Sequence, residues 1–162
     1  MALPAQAEET VACLGHAPLA AAESLYKKHR AFTRQEPKKL QNIVTTGFLD
    51  SLSFEYRCRM GGELCAIEAD PWSGAQDGDI KPPISFRLRA ANKHTASVEM
   101  HYALVIDKAR QEMRTATIQL ERNNAQECWQ VADLLAPGGS STRQAIEAFR
   151  KEFGNPPPQT RQ

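Results

Sequence analysis

The hydrophobic pattern changes period near residue 80. Before it, apolar side chains recur at helical spacing. From Pro18, "LAAAESLYKKHRAF" places Leu25, Tyr26, His29 and Phe32 at i, i+1, i+4 and i+7, one face of an amphipathic helix. Pro18 suits its first turn and Pro37 ends it. The next stretch, "KKLQNIVTTGFLDSLSFEYRCRM", carries Leu40, Ile43 and Val44, then Phe48, Leu49, Leu52 and Tyr56. It predicts a short helix, a break at Gly47, and a second helix reaching residue 60. "ELCAIEAD" reads as one or two further helical turns.

Beyond residue 80 the alternation is strict. In "ISFRLRA", Ile84, Phe86 and Leu88 share one face, and Ser85, Arg87 and Arg89 the other. That is a half-buried strand. "TASVEMHYALVID" sets Val98, Met100, Tyr102 and Leu104 on one side. "MRTATIQLER" aligns Ala116, Ile118 and Leu120 opposite Thr115, Thr117 and Gln119, and "ECWQVADL" adds Trp129 and Val131. The connectors "ANKH", "DKARQE" and "RNNAQ" are short and polar, so the strands form antiparallel hairpins. Ser141-x-x-Gln144 is a capping box. It opens a last helix with Ala145, Ile146, Phe149 and Phe153 on its apolar side. "GNPPPQTRQ" then makes a frayed, Pro-rich tail over residues 154–162. The predicted class is α+β: N-terminal helices on a curved, mainly antiparallel four-stranded sheet, with a C-terminal helix.

The junction between the two regimes reads "EADPWSGAQDGD". Asp70, Asp77 and Asp79 suggest calcium at first sight. An EF-hand loop, however, needs D-x-[DN]-x-[DN]-G and a Glu at its twelfth position, and Ile80-Lys81-Pro82-Pro83 follows here instead. Asp70 precedes a proline and is steered out of helical geometry. Gly74 and Gly78 permit turns. The expected object is a rigid loop anchored by Trp72, with Asp77 accepting from backbone donors.

Composition narrows the class. With 162 residues, 41% apolar and 24% charged, the chain is an ordinary one-domain globular protein with a sizeable core. A net charge of +1 gives no global field for nucleic acid, and no basic stripe interleaved with aromatics appears. No window of 18 apolar residues exists to span a membrane. Ala5-Gln6-Ala7 has the A-x-A shape that signal peptidase cuts. Residues 1–7 therefore read as a residual signal-peptide tail, and 8–153 as a single domain.

The four cysteines, Cys13, Cys58, Cys65 and Cys128, lack any C-x-x-C pair or common zinc spacing. They suit two disulfides in an oxidising compartment, periplasmic or secreted. Four cysteines can pair in three ways. In a continuous helix, residues 58 and 65 would lie about 10 Å apart along the axis, too far to bridge. Gly61-Gly62 between them can break the helix, which favours Cys58–Cys65 with Cys13–Cys128.

Chemistry is sparse. There is no nucleophile elbow, Rossmann fingerprint or P-loop. His16, His29 and His94 stand alone, so no metal or other cofactor is expected. His101 and Glu99 share a strand face and could form a base and its orienting partner. The alternation argues that this face is the outer one, because Val98, Met100, Tyr102 and Leu104 make the better core row.

Three stretches carry a resemblance: "DPWSGAQD" at 70–77, "ISFRLR", and "CWQVADLLAPGGSSTRQAI" from Cys128 to Ile146. With them the chain resembles an uncharacterised secreted bacterial branch of the nuclear transport factor two-like superfamily, over residues 18 to 153. The resemblance implies a cystatin-like cone of helices on a curved sheet, and export. It does not imply one activity, since that superfamily hosts isomerases, dehydratases and binding modules alike. The expected function is a non-catalytic, exported protein-binding module. Its concrete form is an immunity protein, an antitoxin that neutralises a periplasmic toxin. Its expected surface is Arg87, Arg89, Glu99, His101, Trp72 and Asp77. A second copy of the chain is a further candidate partner. The alternative is an enzyme or small-molecule binder that uses the cone pocket, with His101, Glu99, Tyr56 and Tyr102 as its polar groups.

Overall fold

In the computed structural model, residues 12–154 are described. The expected signal tail at 1–7, and all but the first residue of the expected Pro-rich tail, lie outside them. The order is α1 (Pro18–His29), 3-10 turns at Phe32–Arg34 and Pro37–Leu40, and α2 (Thr46–Met60). Then come β1 (Asp79–Ala91), β2 (Thr95–Asp107), β3 (Arg110–Glu121), β4 (Gln130–Leu135) and α3 (Thr142–Phe153). The strands form one antiparallel sheet in the order β1-β2-β3-β4. The fold is α+β, as its periodicity predicts.

The core lies between the helices and one face of the sheet. Val98, Met100, Tyr102 and Leu104 of β2 are all inaccessible, as are Ala116 and Ile118 of β3. Leu25, Phe32, Phe48, Leu52 and Phe54 meet them from the helical side. Val131 and Leu134 of β4 and Ile146 of α3 close the far end. Trp129 precedes β4 and is 1% exposed. Its backbone N–H donates to Gly15 O at 3.0 Å and its indole to His16 O at 3.1 Å. The N-terminal arm is thereby tied to the sheet.

Three local expectations are corrected. Gly47 does not break a helix; it lies in the first turn of α2, whose N-cap is Thr45. The chain leaves helical geometry earlier, at Asn42 with φ 68°. Residues 43–45 then pair with β4: Thr45 N–H donates to Val131 O, and Val131 N–H to Ile43 O. Backbone groups engaged by a strand cannot continue a helix. "ELCAIEAD" is likewise not helical. The buried carboxylate of Glu55 accepts from Ala66 N–H at 3.0 Å and Ile67 N–H at 2.9 Å, and Gly62 sits at φ 75°. Finally, β1 begins at Asp79, five residues before Ile84. Its pairing with β2 is interrupted between Lys81 and Ser85, where Pro82-Pro83 has no N–H to donate.

Both cystines have the expected pairing, Cys13–Cys128 and Cys58–Cys65, and no cysteine is free. Their sequence separations of 115 and 7 give different weights. By loop-closure entropy the long loop stabilises by about 5 kcal/mol and the short one by about 2.5 kcal/mol. Denaturant titrations of Cys13→Ala/Cys128→Ala and Cys58→Ala/Cys65→Ala should therefore show the first variant losing the more stability. Equal losses would mean that packing, rather than chain closure, sets the effect.

Candidate functional site

The face of the sheet away from the helices is polar. Alternation from the buried row of β2 forces Ser97, Glu99 and His101 outward. Register then aligns them across the sheet. Arg87 stands opposite Glu99, and Ser85 opposite His101, on β1. Thr117 stands opposite Glu99, Thr115 opposite His101 and Gln119 opposite Ser97, on β3. Leu135, Gly138 and Gly139 close one side of a shallow concavity of about 570 Å³ over this face.

A chain of hydrogen bonds crosses it. Arg89 Nη1 donates to Glu99 Oε1 at 2.8 Å. Glu99 Oε2 lies 3.1 Å from His101 Nε2, and Thr115 Oγ1 lies 2.9 Å from His101 Nδ1. The Arg89 hydrogen bond, seconded by His101, holds the Glu99 carboxyl below its usual range. Glu99 is thus an anion at neutral pH, and it fixes the imidazole from one side while Thr115 fixes it from the other. Arg87 has no hydrogen-bond or ion-pair partner among the described residues. It is a free cation of the face.

Sequence-predicted residues divide into three groups. Arg87, Arg89, Glu99 and His101 come together as expected. Trp72 leaves the expected surface: it is 2% exposed, and its indole N–H donates to Arg30 O at 2.9 Å. It anchors its loop from within the core. Asp77 is exposed, but Asp70 is the loop's acceptor, taking Trp72 N–H at 2.9 Å. The positive φ angles of Gly74 (65°) and Gly78 (104°) shape the turns as expected.

The four candidates for a cone pocket do not converge. Tyr102 is inaccessible on the core face, while Glu99 and His101 lie on the opposite one. Tyr56 is half-buried on α2. The apolar side of the sheet is occupied by Trp72, Tyr102, Phe32 and Phe48. Among the described residues, the one His/Cys/Asp/Glu group close enough to share an ion is Cys13, His16 and Cys128, and its two sulfurs are bonded to each other. Sequence reasoning missed the Thr115 contact with His101 and the rim at 135–139. Thr115 was legible as a polar position, but its register with His101 was not.

No protein-family model matches the chain, and neither a curated protein nor a solved structure matches it. No helix among the described residues is long and apolar enough to cross a membrane.

Burial and the Tyr102–Trp72 contact give a pH prediction. Tyr102 O–H donates to Trp72 O at 2.7 Å, and burial raises its pKa far above that of a free phenol. The folded state keeps this proton where the unfolded chain loses it. The contribution is whole below about pH 10 and is lost as pH rises beyond it. Burial also raises Tyr26. Chemical denaturation followed from pH 8 to about 12 should show wild-type stability falling, with a shallower fall in Tyr102→Phe. An identical alkaline slope in the variant would contradict this assignment.

Proposed function

We propose that the protein is an exported, non-catalytic protein-binding module whose working surface is the polar sheet face. The observation that carries this reading is the uncovered outer face of β1–β3, with an unpartnered Arg87 beside a pre-ordered Arg89–Glu99–His101–Thr115 chain. A broad, shallow, mixed-charge surface suits protein recognition, where Arg is enriched and exposed charges tune association. A small-molecule site would instead be concave and mainly apolar with few polar groups. Because Arg89 is satisfied by Glu99 and Arg87 is not, the partner is a protein that brings a carboxylate to Arg87. Two disulfides in a small domain support export, and with it a periplasmic or secreted location. An immunity protein that neutralises a periplasmic toxin is the concrete form of such a module. Membership of the nuclear transport factor two-like superfamily is part of the same proposal, supported by the order of helices, hairpins and final helix.

One observation favours a second reading. Glu99, His101 and Thr115 make an acid–base chain of the kind general-base catalysis uses. The two readings separate on one experiment. The mature chain is used to capture its partner from the periplasm, and the partner's affinity is measured against Arg87→Ala/Arg89→Ala and His101→Ala. The double variant should keep its stability to within about 0.5 kcal/mol, as surface changes do, and lose affinity. If it binds normally while His101→Ala alone abolishes a turnover or a small-ligand affinity, the acid–base reading replaces the binding one.

A further inference from the structure

Leu64 is 84% exposed, the most exposed of the large hydrophobic side chains among the described residues, and Met60 nearby is 59% exposed. A single exposed apolar residue is ordinary. Leu64 differs in how firmly it is presented. The Cys58–Cys65 bond closes its loop. Directly beyond it, the inaccessible Glu55 carboxylate takes Ala66 N–H and Ile67 N–H. Arg59 bonds the same carboxylate and also donates to Ile67 O at 2.9 Å. A loop braced on both sides has little conformational freedom left to lose on association. Nothing within the described chain packs against its apolar tip.

A recipient lies beside it. An open groove of about 250 Å³ begins two residues after Leu64, with Ala66, Ile67, Pro71, Ala136, Pro137 and Ala145 along its apolar walls. It is smaller than a drug-sized pocket and suits one aliphatic side chain. Leu64 does not enter its own groove, since the side chain stands exposed. We propose that two copies of the chain associate about a two-fold axis next to this loop, each placing Leu64 in the groove of the other.

An adjacent knob and hole on one surface is the self-complementarity that an isologous contact requires. Charge agrees with it. Arg57, in the last turn of α2, and Glu68, at the groove, are both exposed and unpartnered among the described residues. The two-fold brings each to the side of the other's counterpart. A membrane surface is the poorer occupant. Leu64 and Met60 are the large hydrophobic side chains that stand exposed there, and the exposed carboxylates Glu63 and Glu68 repel anionic lipid. The contact goes beyond the proposed function and leaves the polar sheet face free.

Sedimentation equilibrium of the oxidised protein, from micromolar to millimolar, tests it. The wild type should show a concentration-dependent monomer–dimer equilibrium. Leu64→Asp, which removes the knob, and Ala145→Arg, which fills the groove, should each raise the dissociation constant by about tenfold or more. Arg57→Glu should weaken the dimer, and adding Glu68→Arg should restore it. Circular dichroism confirms that each variant is folded. A wild type that stays monomeric throughout, or a dimer indifferent to both Leu64→Asp and Ala145→Arg, overturns the proposal.

Discussion

Two hydrogen bonds that meet at Trp72, one buried and one partly buried, join the helical layer to the sheet. Tyr102 sits mid-strand on the core face, so its hydroxyl must find an acceptor inside the protein. That acceptor is the Trp72 carbonyl at 2.7 Å. The Trp72 indole in turn donates to Arg30 O, just past α1. The ring is gripped by Tyr26 at 5.2 Å and Phe32 at 6.3 Å between centroids, both edge-on. Phe32 continues the contact to Phe48 of α2 at 5.9 Å. One side chain from an irregular loop therefore sets where α1, α2 and β2 lie relative to one another. The sharp chain direction around it, with Asp70 taking the Trp72 N–H and Gly74 in the left-handed region, is what lets a loop deliver an indole into a core.

That arrangement decides where function can reside. With two tryptophans and a cluster of phenylalanines filling the apolar side, chemistry is left to the outer face and the loops. On the outer face the polar side chains are ordered by one another rather than by burial. The Arg89–Glu99 pair is exposed at its Arg end, so its contribution to stability is small. Its effect is positional: it holds the imidazole of His101 in one orientation across the strand register. Surface order of this kind lowers the cost of recognition without requiring a cavity.

The strands were legible because a period of two survives in almost any context. Val98 to Leu104 announces both the buried row and, by exclusion, the Glu99–His101 face. The helical half was less legible because its backbone groups are diverted by distant partners. Residues 43–45 pair with Val131, and Ala66 and Ile67 pair with the Glu55 carboxylate. Neither diversion leaves a local trace. Glu55 is inaccessible, although a carboxylate is almost never fully buried unless it is paired. Trp72 was legible as an anchor but not as a core residue, since a Trp between Pro and Ser in an acidic stretch carries no period. The Gly-Gly break, a local signal, made the Cys58–Cys65 pairing feasible in the sequence and favoured it over the other two connectivities.

The two disulfides act at different scales, and the difference clarifies how a helix-poor layer stays in place. Cys13–Cys128 ties the N-terminal arm to the start of the last strand, where Trp129 already bonds Gly15 and His16 and Arg122 stacks over its ring at 4.1 Å. Covalent and non-covalent links there are redundant, so the bond's main effect is on the unfolded chain. Cys58–Cys65 closes a short loop and limits the unfolded chain far less. Its value lies in the native state, where it completes the bracing that Glu55 and Arg59 begin at the end of α2. The shorter closure stabilises about half as much as the longer one and also orders a protruding loop.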